Sequence, residues 1–411
     1  LLKLDLPEVP KDAVRVSAEN GVLTISGERK LEKEEQELLL ESLDEVIERD
    51  CTEEYMKQCN EEGRYPQEFV DALMESGFGL LGVPEEYGGT PVDITTMMLV
   101  AEEITKHGGP HSVFGQALSI ADMLEFGSEE QISQCMEQIQ AGKPGFVLGF
   151  TEPQAGSDSS AIATTYTRKN GKVYINGHKT FMSNAKRAKY MLCLAKNAEE
   201  EDGAANKKSA FSMWWMPMDA PGVKIEPLKK IGWHFMDTCE VYMEDVELEE
   251  KDLVGVEGNG FMQAMLNFEV ERLLIGAELL GYAECAFEDA ARYANQRVTF
   301  GKPLADRQLI QEKITLMKMK IENMRNMVYR TAWKIENKES VQVDSALTKL
   351  YCGRSACEII DDALQIMGGI GYTTDCRISR LWLDSRVQRI GGGTDEIMIH
   401  IAGRALLKQY R

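Results

Sequence analysis

Long apolar runs are missing from this 411-residue chain. None approaches the ~18 residues that a membrane-spanning helix needs, so membrane insertion is not expected. Positive charge is also short: 46 Lys and Arg stand against 67 Asp and Glu, a net charge of −21. That balance argues against nucleic acid or an anionic membrane as the main partner. Histidine is sparse, at five, and no HExxH pattern occurs. His107 and His111 are four apart, but Gly108, Gly109 and Pro110 break any helix between them, so no metal site is expected. The nine cysteines are scattered, as at Cys51, Cys135, Cys239 and Cys376, with no CxxC pair. They read as reduced thiols filling cores, not a disulfide framework. No phosphate-binding P-loop occurs, and "GVEGNGFMQ" and "GGIGYTTD" are not GxGxxG between a strand and a helix. No signal or transit segment is visible, which makes a cytoplasmic protein the expectation. What is present, 43% apolar and 27% charged residues, fits a soluble globular chain long enough for two or three domains.

The first thirty residues differ from the rest. "LDLPEVPKDAVRVSAENGVLTISGERK" alternates apolar and polar residues around Asn20-Gly21 and predicts two short strands joined by a turn. It resembles the strand region of small heat-shock proteins, and with no initiator Met a fused or partial segment is expected. From Glu35 to about Gly142 the period is helical, as in "EEQELLLESLDEVIERD" and "ITTMMLVAEEITKHGG". From about Phe146 to Val256 it becomes two: "KVYINGHKTFMSN", "YMLCLAK", "SAFSMWWMP" and "CEVYMEDVEL" read as strands, with Glu199 to Lys208 a charged loop. After Gly260 long helices return. The division expected is 1–30 as the separate segment, 31–145 helical, 146–256 β and 257–411 a helix bundle.

From about Glu35 onward the chain resembles the acyl-CoA dehydrogenase family. The most specific stretch is "GFTEPQAGSDSSAIATT", with Gln154 where that family usually has Gly. "INGHKTFMSN", "CEVYMEDVEL…GVEGNGF", "ANQRVTFGKPLADRQLIQ", "QIMGGIGY" and "GGTDEIMIHIAGRALL" follow in the family's order. "CAFEDAARYANQRV" and "GRALLKQYR" are similar to the crotonobetainyl-CoA reductase branch, which handles a carnitine-derived thioester. The resemblance implies a mainly α fold with a central β-barrel and a C-terminal four-helix bundle, binding FAD between the last two. It places Phe150, Thr151, Ser157, Phe181 and Ser183 at the flavin, Ser157 also near the thioester. It implies that a neighbouring subunit holds the adenine end through Arg297, Thr299, Phe300, Gln308, Gln365 and Gly369, with Thr394 and Glu396 completing the site. Ser157, Phe268, Arg272, Gly392 and Arg404 are the implied substrate contacts. Implied partners are an acyl-CoA thioester and an electron-transferring flavoprotein, in a homotetramer; an oxidase of the same fold and a non-catalytic scaffold are the alternatives.

Oxidising an acyl thioester requires a base for the weakly acidic α-proton. Many family members carry it just before the Gly-Thr of the C-terminal motif, a position occupied here by Gly392 within Gly391–Gly393. In other members it precedes an arginine on an upstream helix, and "FEVER" has that form, with Glu271 before Arg272. Glu269 lies two residues back, roughly opposite on a helix at ~100° per residue, so the two cannot face one site. Glu271 is the base that the resemblance implies, with the Gly392 N–H as a donor to the thioester oxygen. One departure is His234 in "IGWHFMD", where Arg is common.

Overall fold

The computed structural model describes residues 14–19, 22–27, 33–114, 116–199, 211–266 and 268–411. The charged loop expected from Glu199 to Lys208 lies outside them beyond Glu199. The hairpin expected around Asn20-Gly21 forms: β1 (Val14–Glu19) pairs antiparallel with β2 (Val22–Gly27), Glu19 opposite Val22.

Helices follow: α1 (Lys33–Asp50), α2 (Glu53–Glu62), α3 (Gln67–Glu75), α4 (Ile94–Lys106), α5 (Gln116–Phe126) and α6 (Glu129–Gln140). Their starts are set by short polar side chains that accept otherwise unpaired N–H groups: Thr52 from Tyr55, Asp93 from Thr96, and Ser128 from Gln131 in a reciprocal capping box. Each such cap contributes about 1 kcal/mol.

The period-two region forms β3 (Val147–Gly149), β4 (Thr165–Lys169), β5 (Lys172–Ser183), β6 (Tyr190–Asn197), β7 (Phe211–Pro217), β8 (Val223–Pro227), β9 (Thr238–Leu248) and β10 (Leu253–Val254). They make one eight-stranded sheet in the order β10-β7-β6-β4-β5-β9-β8, with β3 paired to β6. Its inner face buries Tyr166, Trp214, Met216, Cys239, Val241 and neighbours in a core of its own. The expected barrel is not closed among the described residues, because no ladder joins β8 to β10. β10 is two residues long and β8 ends in Pro227, which has no N–H to donate.

The last region holds α7 (Gly260–Leu266), α8 (Phe268–Gln296), a small hairpin of β11 (Val298–Thr299) and β12 (Lys302–Pro303), α9 (Gln308–Glu336), α10 (Gln342–Met367), α11 (Arg377–Val387) and α12 (Asp395–Lys408). α8, α9 and α10 pack on one another, α12 on α10, and α4 on α8 and α9. α8 and α10 run in the same direction, α9 against both. α4 approaches α8 closely at Gly281, where a Cβ would fall 2.2 Å from the Glu102 carbonyl oxygen; no other residue type fits there.

Candidate active site

The signature after β3 is organised by a residue pair the sequence did not single out. The Lys179 ammonium on β5 donates to Glu152 at 2.8 Å, both side chains being essentially inaccessible. The same carboxylate accepts the N–H groups of Ala163 (2.7 Å) and Thr164 (3.0 Å), closing the turn that carries Ser157. Gln154, the departure from the family pattern, donates to Glu152 at 2.6 Å, so the substitution is satisfied within the turn. Ser157 itself is exposed.

Thr151 accepts the Thr180 N–H at 2.9 Å, which sets Phe150 and Thr151 beside the "TFMSN" end of β5. There β5 carries an extra residue relative to β9, between Lys179 and Met182, and Phe181 has φ +56. A bulky residue in the left-handed region is strained, and such strain concentrates at functional sites. The result is an aromatic ring held 67% exposed beside Thr151 and Ser183. An exposed ring displayed in this way fits a planar cofactor ring system. Phe150 also contacts the Phe268 ring, centroids 5.9 Å apart, tying the turn after β3 to the first turn of α8.

On that turn Glu271 is accessible yet set deep among protein atoms, as a residue lining a cleft is. Desolvation raises its pKa, opposed by the charges of Arg272 and Lys349. Glu269, half-buried on another side of the helix, is raised by the same cause. Arg272 is buried; it lies over the Phe268 ring at 5.8 Å and donates to the Gly392 carbonyl at 3.4 Å. Lys349 of α10, 1% exposed, donates to the next carbonyl, Gly393. The loop is closed from its other side by Asp395, whose N–H reaches the Arg389 carbonyl and whose carboxylate takes Arg389 and Arg354. Gly392 has φ +62, and a Cβ added there would sit 2.7 Å from Cδ1 of Ile275, one helical turn beyond Glu271. Position 392 thus faces the same side of α8 as Glu271. Its N–H has no protein acceptor among the described residues. Lys349, Asp395, Arg389 and Lys179 carried no sequence signal of their own; of this set only Glu152 lies in the "TEP" motif.

Other predicted residues lie elsewhere. The Thr394 hydroxyl caps α12 by accepting from Ile397 at 3.3 Å, and Glu396 is exposed on the first turn. Arg404 is exposed two turns further on, its nearest polar contact His400 at 3.5 Å, and is not brought to Glu271. Arg297, Gln308, Gln365 and Gly369 are exposed, and Phe300 stands 98% exposed at φ +49 in the β11–β12 turn. Thr299 accepts from Arg307 at 2.6 Å. This group sits at the far end of the bundle, about 38 Å along α8 from Glu271 at 1.5 Å per residue. Among the described residues, Asp44, Glu103 and His107 have ligand atoms close enough for a metal, but Lys106 already donates to Glu103 at 2.6 Å. No described helix is long and apolar enough to cross a membrane.

Sequence profiles described as acyl-CoA dehydrogenase N-terminal, middle and C-terminal domains match residues 33–143, 147–246 and 258–407. The chain is 54% identical over 379 residues to the probable acyl-CoA dehydrogenase YdiO of Escherichia coli (strain K12), covering 92% of this chain and 98% of that protein. Among solved structures, a probable acyl-CoA dehydrogenase from Mycobacterium abscessus superposes with TM-score 0.85 at 28% identity, over 91% of this chain and 99% of the other. Butyryl-CoA dehydrogenase from Megasphaera elsdenii does so with TM-score 0.81 at 29% identity, over 90% and 98%. The heat-shock likeness of residues 1–30 receives no support from these matches.

Proposed function

Because the chain belongs to the acyl-CoA dehydrogenase family, FAD-dependent oxidoreductases acting on CH–CH groups, we propose that Glu271 is its base toward a short or carnitine-derived acyl-CoA. The observation that carries this reading is the meeting of Glu271 and Gly392 on one side of α8. The position from which a base is absent and the position that holds one share a cleft.

In this reading Glu271 takes the α-proton of the thioester in dehydrogenation and returns it in enoyl reduction. Burial among protein atoms raises its proton affinity toward the range useful for a base, while Arg272 and Lys349 keep it ionisable. The Gly392 N–H donates to the thioester oxygen, whose negative charge grows as the proton leaves. Bound FAD supplies the hydride-exchanging partner for the β-carbon. Phe150, Thr151, Ser157, Phe181 and Ser183 would hold it from one chain. Arg297, Thr299, Phe300, Gln308, Gln365 and Gly369 lie at the far end of the bundle, too far to serve the same site, so a second copy would supply them, with Thr394 and Glu396 of the first chain completing the site. That distance supports an oligomer, and the family resemblance makes it a homotetramer in this reading. Exchange of electrons with an electron-transferring flavoprotein and a cytoplasmic location belong to the same reading. The likeness of "CAFEDAARYANQRV" to crotonobetainyl-CoA reductase supports a carnitine-derived substrate.

The test is anaerobic bleaching of the yellow protein by a panel of acyl-CoA thioesters, cationic ones included. Bleaching by short or cationic thioesters supports the reading, and absence of bleaching by any of them refutes it. Rapid peroxide release in air would assign an oxidase instead.

A further inference from the structure

We propose that Lys349 is a positioning residue of this site: its ammonium clamps the glycine loop and, by its charge, holds Glu271 in the proton-accepting state. The proposal rests on the assignment of Glu271 as base.

The geometry comes first. A lysine on a helix usually reaches water, yet Lys349 is 1% exposed within α10 and spends its ammonium on one backbone carbonyl, that of Gly393. Burying a cation costs several kcal/mol unless it is paired, so an apolar residue would be the cheaper occupant for packing alone. Its Cε lies 3.9 Å from the point where a Cβ on Gly392 would be, so the chain runs directly under the loop. Arg272 holds the preceding carbonyl from α8. In a trans peptide the C=O and N–H point in opposite directions. Two cations on successive carbonyls therefore fix the Gly393 and Thr394 N–H groups on the opposite side and set the attitude of Gly392 between Arg389 and Asp395.

The charges around the pair come from α8 and α12. Lys349 faces Asp395 of α12 and Glu271 and Arg272 of α8. Glu271 faces Arg272, Lys349 and, seven residues on along the same helix face, the buried Glu278. Desolvation favours the protonated form of Glu271; the charges of Arg272 and Lys349 oppose it, and the Glu271 charge in turn helps keep Glu278 protonated. Desolvation brings the pKa of Lys349 down to about 8, so its charge is lost within the range where enzymes are assayed. Function then requires Glu271 ionised and Lys349 protonated. That condition gives a bell-shaped pH dependence, rising as Glu271 ionises and falling as Lys349 deprotonates.

The test uses the FAD-loaded protein and two variants, Lys349→Met and Lys349→Arg. The infrared C=O band of protonated Glu271, identified by its loss in Glu271→Gln, is followed across pH. In Lys349→Met its midpoint should move up by about one unit, and in Lys349→Arg it should stay near wild type, because a charge and not a shape is being removed. An unchanged midpoint in Lys349→Met overturns the proposal. If Lys349→Met does not fold, Lys349→Arg decides. Solvent deuterium exchange at the α-carbon of bound acyl-CoA should fall above pH about 8 in wild type and not in Lys349→Arg, since arginine keeps its proton there. An alkaline fall at the same pH in both overturns it. Failure of the underlying assignment has a different signature: α-exchange that persists in Glu271→Gln.

Discussion

At its first turn α8 brings Glu271 and Arg272 into a setting built by this one chain: Phe150 ahead of the sheet, Lys349 from α10 and the glycine loop before α12. At its last turn the same helix hands on to Arg297, Phe300 and Gln308, which stand in solvent. The first end has buried charges, carbonyls with dedicated donors, strained backbone at Phe181 and a left-handed turn at Gly392. The second has an aromatic ring on a tight turn, 98% exposed, with Arg307 6.0 Å away. A site that is finished within one chain looks like the first end. Under the proposal that a second copy completes the flavin site, the second end is the surface that the copy would meet.

The largest break falls on the buried pair behind the finished end. Lys179→Met leaves the Glu152 carboxylate buried without its cation, and stability should drop by about 3–5 kcal/mol in denaturant melts. The double variant Glu152→Gln, Lys179→Met should recover much of this. Next is Gly392→Ala, which combines a left-handed backbone with a Cβ 2.7 Å from Ile275. A loss of about 1–3 kcal/mol is expected, relieved by adding Ile275→Ala. The same contact limits any transfer of the base: Gly392→Glu in a Glu271→Gly background should recover only a small part of the bleaching, and more once Ile275 is shortened.

At the open end the effects are smaller and of another kind. Arg297→Ala should loosen FAD in the assembled protein by about tenfold or less, one exposed contact to a charged group being worth roughly 1 kcal/mol. Bleaching rates of the flavin-replete fraction should not change. An effect on rate with no effect on flavin content would show that this end belongs to the chemistry after all. Removing residues 1–30 should change neither measurement, because every residue placed at either end lies beyond them.

The sequence made the finished end half visible. "FEVER" located the start of α8 and the base candidate, and "TFMSN" located Phe181, because both are contiguous. Lys349 was hidden because a lysine among helical residues carries no mark of burial; only the packing of α10 under the loop removes it from water. The left-handed backbone of Phe181 was hidden for a related reason, since the bulge arises from pairing with β9, far along the chain. The period-two reading found β5, β6, β7 and β9 but missed β3, β4, β8 and β10, which are too short to show a period. At the open end the sequence marked Arg297, Phe300 and Gln308 only through the order of the family's motifs, because nothing in their spacing shows what an exposed residue would meet.

The central claim is that Glu271 is the base although Gly392 stands where many relatives carry theirs. Its most direct test is solvent deuterium exchange into the α-position of an acyl-CoA bound to FAD-loaded Glu271→Gln. The account predicts normal FAD content and exchange reduced by about 10²–10⁴-fold, the usual contribution of a positioned base. Exchange within about threefold of wild type, with FAD normally bound, would contradict it.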